Sequence, residues 1–131
     1  MGLFSGIFGK SKEEEGTNNS EIPWQPLNSI DQFERIKQES NSRPQVIFKH
    51  STTCGISRMV LNMFKSSYSL SEGQMDFYFL DLLANRDVSN AIATEFGVMH
   101  QSPQLLIIKN GVVVMHDSHG GISEINLKQY V

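Results

Sequence analysis

The chain has one cysteine, Cys54, among 131 residues, and this scarcity excludes more than any other feature. A lone thiol cannot form an internal disulfide or build a multi-cysteine zinc site. A chain without disulfides suits a reducing compartment, so a cytoplasmic setting is expected. Positive charge is also scarce: 11 Lys and Arg stand against 14 Asp and Glu, for a formal net charge of −3. That balance gives no basic field for a phosphate backbone, and no nucleic-acid partner is expected. The apolar piece near the start, "LFSGIFG", is far shorter than the ~20 residues of a spanning helix, so no transmembrane segment is expected. Its lysines follow it, unlike those of a secretory signal. Gly6 stands where N-myristoylation wants Ser or Thr.

What is present suits one domain with one core, at 14.8 kDa and 39% hydrophobic residues. Residues 1–21 read as a mobile tail and polar linker, and residues 22–131 as the domain. Within the tail, Leu3, Phe4, Ile7 and Phe8 cluster as in an apolar tag that docks on a partner or membrane surface.

Along the domain, "PWQPL" (23–27) reads as an edge strand, since two prolines limit its pairing. Ser29 and Gln32 have capping-box spacing, and Ile30, Phe33 and Ile36 mark one helical face up to about Ser40. "QVIFKH" (45–50) has the continuous apolar run of a central strand. From Cys54 the period becomes helical, with Ile56, Met59, Val60, Met63 and Phe64 as the expected core stripe. "QMDFYFLDL" (74–82) reads as a strand. Asp87 is the expected cap of a third helix, with Val88, Ala91, Ile92 and Phe96 inward and Gly97 as its stop. Two apolar runs, 105–108 and 112–115, flank Asn110-Gly111, the signal of a type I′ hairpin. A short helix over Ile122, Ile125 and Tyr130 is expected to close the chain. The order β-α-β-α-β-α-β-β-α predicts a mixed α/β sheet with helices on both faces.

Cys54 falls where the central strand gives way to a helix. Free N–H groups and the helix dipole favour the thiolate there. Arg58, one turn later, Ser57 at i+3, and Lys49 and His50 just upstream are the candidate thiolate partners, Ser57 through a hydroxyl hydrogen bond. The plainer alternative is an inert buried cysteine. Its polar neighbours and its place ahead of the apolar stripe argue for the reactive reading. Ser102-Pro103 precedes a strand, where proline loses no ladder bond and where a cis bond is accessible. Of the four histidines, His100, three residues before Pro103, is the candidate acid/base or thiolate partner. His50, His100, His116 and His119 come from separate segments without paired spacing, so no metal and no tightly bound cofactor is expected.

A strand, "TTCGIS" opening a helix, a Ser-Pro and then "PQLLIIKNG" with its hairpin resemble the thioredoxin fold over roughly residues 22–131. The resemblance implies a three-layer sandwich with a cis-Pro103 loop beside Cys54. Within that fold, "KHSTTC" with "IS", "RDVSN" through "FGV", "H", "SPQ", and "SH" near the end resemble the monothiol bacilliredoxins. That family implies a bacterial oxidoreductase for which bacillithiol, a low-molecular-weight thiol, is co-substrate. Its partners are proteins carrying mixed disulfides and the reductase that regenerates the thiol, and the protein is expected to be a monomer. Carried over, Cys54 is the nucleophile and Ser57 stands at the resolving-cysteine position. Thr53, Gly55 and Arg58 would contact substrate around the thiol, and His100, Ser102, Pro103 and His119 would do so from the loops opposite. Gly55 departs from the proline associated with this family after the cysteine and resembles the "CGFS" sequence of monothiol glutaredoxins. Two further functions therefore stand beside the first: an iron–sulfur cluster carrier working as a dimer with thiol co-ligands, and a non-enzymatic interaction module on the same scaffold.

Overall fold

A computed structural model describes residues 21–71 and 73–131. The tail expected over residues 1–21, including Leu3, Phe4, Ile7 and Phe8, lies outside them but for Glu21. The described residues form β1 (Trp24–Pro26), α1 (Gln32–Glu39), β2 (Gln45–His50), α2 (Gly55–Ser67), β3 (Asp76–Asp81), α3 (Arg86–Phe96), β4 (Gln104–Lys109) and β5 (Val112–Ser118). Two 3-10 helices, His119–Glu124 and Leu127–Gln129, follow.

The sheet order is β1-β3-β2-β4-β5. β3 runs parallel to β1 and β2, whereas β4 is antiparallel to β2 and β5. Proline-bounded β1 is an edge, and β2, buried at every position, is the centre. Alternation along the strands divides the core in two. Val46, Phe48, Phe77, Leu105 and Ile107 pack with Val60 and Phe64 of α2 and with Ile122. Ile47, Tyr78, Leu80, Leu106 and Ile108 pack with Phe33 and Ile36 of α1 and with Val88 and Ile92 of α3. The period-two pleat sends neighbours to opposite faces, so one strand feeds both layers. Truncating a side chain as buried as Phe48 would cost about 3–5 kcal/mol.

The hairpin turn takes the form its residues favour: Asn110 and Gly111 both have positive φ, 53° and 83°. Ser40, at the end of α1, holds that turn by accepting from Asn110 N–H at its carbonyl (2.9 Å) and from Gly111 N–H at Oγ (2.8 Å). Gly97 stops α3 in the left-handed region (φ 68°), and Val98 N–H closes back on Ala93 O.

Four local expectations are corrected. The capping box is half formed: Gln32 Oε1 accepts from Ser29 N–H at 3.0 Å, but Ser29 Oγ accepts from Asp31 N–H. α1 therefore begins at Gln32, and Ile30 stays 48% exposed ahead of it. Asn85, not Asp87, is the N-cap of α3. The closing helix is two 3-10 turns, because Ile125 between them is extended (ψ 128°) and Asn126 Oδ1 caps the second turn by accepting from Lys128 N–H. On α2 the buried face is Ser57, Val60 and Phe64. Ile56, Met59 and Met63 are 54%, 55% and 46% exposed. The single layer above the sheet accepts one helix face, narrower than the apolar stripe written in the sequence.

Candidate active site

Cys54 is the N-cap of α2, with extended backbone (φ −103°, ψ 119°) and a partly exposed side chain. Its N–H donates to Ser51 O at 3.2 Å, and its carbonyl accepts the first helical bond, from Arg58 N–H, at 3.1 Å. The N–H groups of Gly55, Ile56 and Ser57 thus have no acceptor within the helix, and with the dipole they favour an anion at the cap. Thr52, Thr53, Gly55 and Arg58 around the thiol are all exposed. Arg58 reaches back over the cysteine turn, its Nη1 donating to Thr52 O at 3.4 Å. Thr53 Oγ1 lies 3.4 Å from Ser51 Oγ.

Ser57 does not serve the sulfur as its spacing suggests. It is fully buried; its Oγ accepts from Ser51 N–H at 3.1 Å and lies 2.8 Å from His50 Nδ1. A buried hydroxyl hydrogen needs an acceptor, and among the described residues Nδ1 is the one within reach. Ser57 therefore donates to His50 rather than to Cys54. His50 is itself buried, its ring centroid 5.4 Å from that of Phe79. Burial lowers its pKa below the ordinary 6.5; Asp81 opposes the shift, and Arg58 and Lys65 add to it.

Lys49 is likewise not a cation beside the thiol. Alternation along β2 turns it to the α1/α3 face, where it is fully buried. Its Nζ donates to Ser89 O at 3.2 Å and lies 3.2 Å from His100 Nδ1. Burial pushes its pKa down to about 8.

The second side of the site is the segment before β4. The Ser102–Pro103 bond is cis, and Pro103 is buried. Lys49 pairs in register with Gln104, so Pro103 falls at the level where β2 runs into the cysteine turn. The loop carrying Met99, His100, Ser102 and Pro103 and the loop carrying Cys54 thereby occupy the same end of two adjacent strands. Two backbone anchors fix the proline loop: His119 N–H donates to Pro103 O at 3.1 Å, and Gln104 Nε2 donates to Met99 O at 2.9 Å. His119 itself has φ 55° and an exposed side chain, so its backbone is what meets the loop. His100 is half-buried, with Nδ1 near Lys49 Nζ and 3.3 Å from Ser89 Oγ, rather than bonded to the thiol. Its pKa is lowered by burial, then by Lys49 and Arg86.

Sequence reasoning missed Ser51, Ser89 and Gln104. One signal was available: a lysine inside the apolar strand "QVIFKH" requires buried acceptors. Which residues supply them is a long-range matter. Among the described residues, no group of three or more His, Cys, Asp or Glu side chains is placed to hold a metal ion. None of their helices is long and apolar enough to cross a membrane.

Comparison with known proteins agrees with this geometry. A solved structure assigned as an oxidoreductase with a thioredoxin fold is 37% identical, with TM-score 0.68, over 82% of this chain and 92% of that one. Thioredoxin of Malassezia sympodialis is 21% identical with TM-score 0.67, covering 91% of this chain and 98% of that one. Thioredoxin NaTrxh of Nicotiana alata is 20% identical with TM-score 0.63, covering 88% and 98%. These two share the fold. The family model described as monothiol bacilliredoxin BrxC matches residues 25–127, a span that takes in Cys54, the proline loop and the hairpin. The thioredoxin-fold chain, with its lone thiol at the head of α2, thus belongs to the monothiol bacilliredoxin family.

Proposed function

We propose that the protein is a monothiol oxidoreductase that strips a low-molecular-weight thiol, bacillithiol, from mixed disulfides with proteins. The observation that carries this reading is the pairing at the head of α2: a partly exposed Cys54, with a buried Ser57, already bonded to His50, at the resolving position. Cys54 thiolate attacks the small-thiol sulfur of the mixed disulfide. The protein–thiol S–S bond breaks, an S–S bond between Cys54 and the small thiol forms, and the client leaves as a thiolate. Electrons balance because one disulfide replaces another.

With no thiol at position 57, the cap leaves only by attack of an outside thiol. That step yields free Cys54 and a small-thiol disulfide, which a partner reductase returns to the thiol pool. Exposed Arg58 is suited to a carboxylate on the small thiol. On this reading Thr53 and Gly55 from the cysteine loop, His100, Ser102 and Pro103 from the proline loop, and the turn at His119 would contact the substrate. Exposed Ile56, Met59 and Met63, beginning two residues after Cys54, offer apolar footing for a protein client. The chemistry suits a reducing, cytoplasmic setting and a monomer without a resident cofactor.

The test uses a client protein capped with bacillithiol. Intact-mass analysis of the trapped protein is expected to show one bacillithiol on Cys54 and an uncapped client. Undiminished uncapping by Cys54→Ala would refute the reading. Equal uncapping of clients carrying a neutral small thiol would refute the assignment to a carboxylate-bearing one.

A further inference from the structure

We propose that buried Lys49 is a positioning residue for the proline loop: it holds His100 as a neutral ring with its proton on Nε2, so that His100 presents a fixed hydrogen-bond donor to the incoming disulfide. The inference rests on the reading that Cys54 and the proline loop receive that disulfide.

Lys49 stands on a face otherwise built from Ile47, Leu80, Leu106 and Ile108. A fully buried ammonium there is costly unless its donors are used. Nζ has two partners, Ser89 O and His100 Nδ1, each at 3.2 Å. A carbonyl oxygen only accepts, and an ammonium has no lone pair and only donates. Nδ1 must therefore be the accepting nitrogen, which leaves the ring proton on Nε2. Ser89 Oγ lies 3.3 Å from the same Nδ1.

Protonating the ring would set two cations 3.2 Å apart in a buried site. The charged groups acting on the ring are Lys49 from β2 and Arg86 from α3, and both oppose a second proton. The ammonium form of Lys49 persists up to about pH 8, so the arrangement holds at neutral pH. Gln104, the register partner of Lys49, ties Met99 O at 2.9 Å. Consecutive residues 99 and 100 are thus both held from the sheet. Nε2 lies across the ring from Nδ1, on the side these contacts leave free. His100 on this account is a donor and not a general base.

Nitrogen-detected NMR of the full chain with 15N-labelled histidine tests this without substrate. At pH 7 His100 is expected as the neutral Nε2–H tautomer, titrating below 6.5. An Nδ1–H tautomer at pH 7, or a midpoint at or above 6.5, would overturn the proposal with no variant needed. In Lys49→Met the midpoint is expected to rise, and an unchanged midpoint would count against it. On bacillithiol-capped client, Lys49→Met is expected to lower kcat/KM about tenfold, as for one lost hydrogen bond of ~1.4 kcal/mol. Adding it to His100→Phe is expected to cost nothing more, whereas fully additive losses would show that Lys49 acts elsewhere. The ring-state result is independent of turnover, so its failure is separable from that of the Cys54 reading, which Cys54→Ala tests.

Discussion

His50 Nδ1 lies 2.8 Å from Ser57 Oγ and joins the last residue of β2 to the third residue of α2 beneath the cysteine turn. With the Ser51 N–H bond to the same oxygen, it closes a buried clasp around residues 51–54. The position that a dithiol protein gives to its resolving sulfur here carries a hydroxyl with a structural task.

Removing that hydroxyl leaves His50 Nδ1 and Ser51 N–H unpaired in the core. Ser57→Ala is expected to cost about 1–3 kcal/mol of stability, read by urea unfolding. A loss within a few tenths of a kcal/mol would show that the clasp is slack.

Ser57→Cys tests the catalytic logic of the same position. A second thiol at i+3 can expel the cap by forming an internal disulfide with Cys54. Mass spectrometry is expected to show the wild type accumulating a capped form and the variant an internal disulfide. Persistent capping of the variant would mean that the buried position 57 cannot reach the sulfur.

The buried bases set the dependence of stability on pH. The folded-state pKa of Lys49 is about 8 against an ordinary 10.5. Between these values the unfolded chain binds more protons, so stability rises from pH 8 toward pH 10 and is lost as pH falls back through 8. Tyr78, raised above 10.0 by burial, acts in the opposite sense only at higher pH. Lys49→Met is expected to flatten the rise in denaturation midpoint between pH 8 and 10. His50 and His100 are both depressed below 6.5, so their contribution is complete above 6.5 and is lost as pH falls through their lower folded values.

Exposed Met59 on α2 tests the proposed docking of a protein client. Met59→Glu is expected to reduce kcat/KM about tenfold on a capped protein, the effect of one lost apolar anchor. The rate on a small-molecule mixed disulfide is expected to stay unchanged. Equal losses on both would place Met59 in the chemistry instead.

Gly55 can be replaced at the head of the helix. It is N1 of α2, an added Cβ would meet nothing within 4 Å, and Cys54 before it is extended, as a residue preceding proline should be. Gly55→Pro is expected to stabilise the fold by about 0.4–1 kcal/mol through the unfolded state. A lower thermal midpoint would show that the glycine N–H is needed.

Gly121 is the opposite case, since a Cβ there would lie 2.5 Å from the Asp117 carboxylate. That carboxylate is the far end of a flexible side chain and would have to turn aside, and no sequence signal distinguished this glycine from Gly120, where a Cβ meets nothing.

The order of elements as far as β5, the central strand, the hairpin turn and the placing of Cys54 at a strand-to-helix junction were legible in the chain alone. These rest on local chemistry: period-two and period-3.6 patterns, Asn-Gly turn preferences and the propensities of neighbours along the chain. Long-range packing settled which part of the α2 stripe is buried, that Ser57 serves His50 and not the sulfur, and that Lys49 faces Ser89 and His100. Such choices depend on which strand lies beside which and on the pleat that turns Lys49 and His50 to opposite faces. A hydrogen bond between residues 49 and 100 has no trace in local spacing, because it exists only once β2, α3 and the proline loop share one end of the sheet.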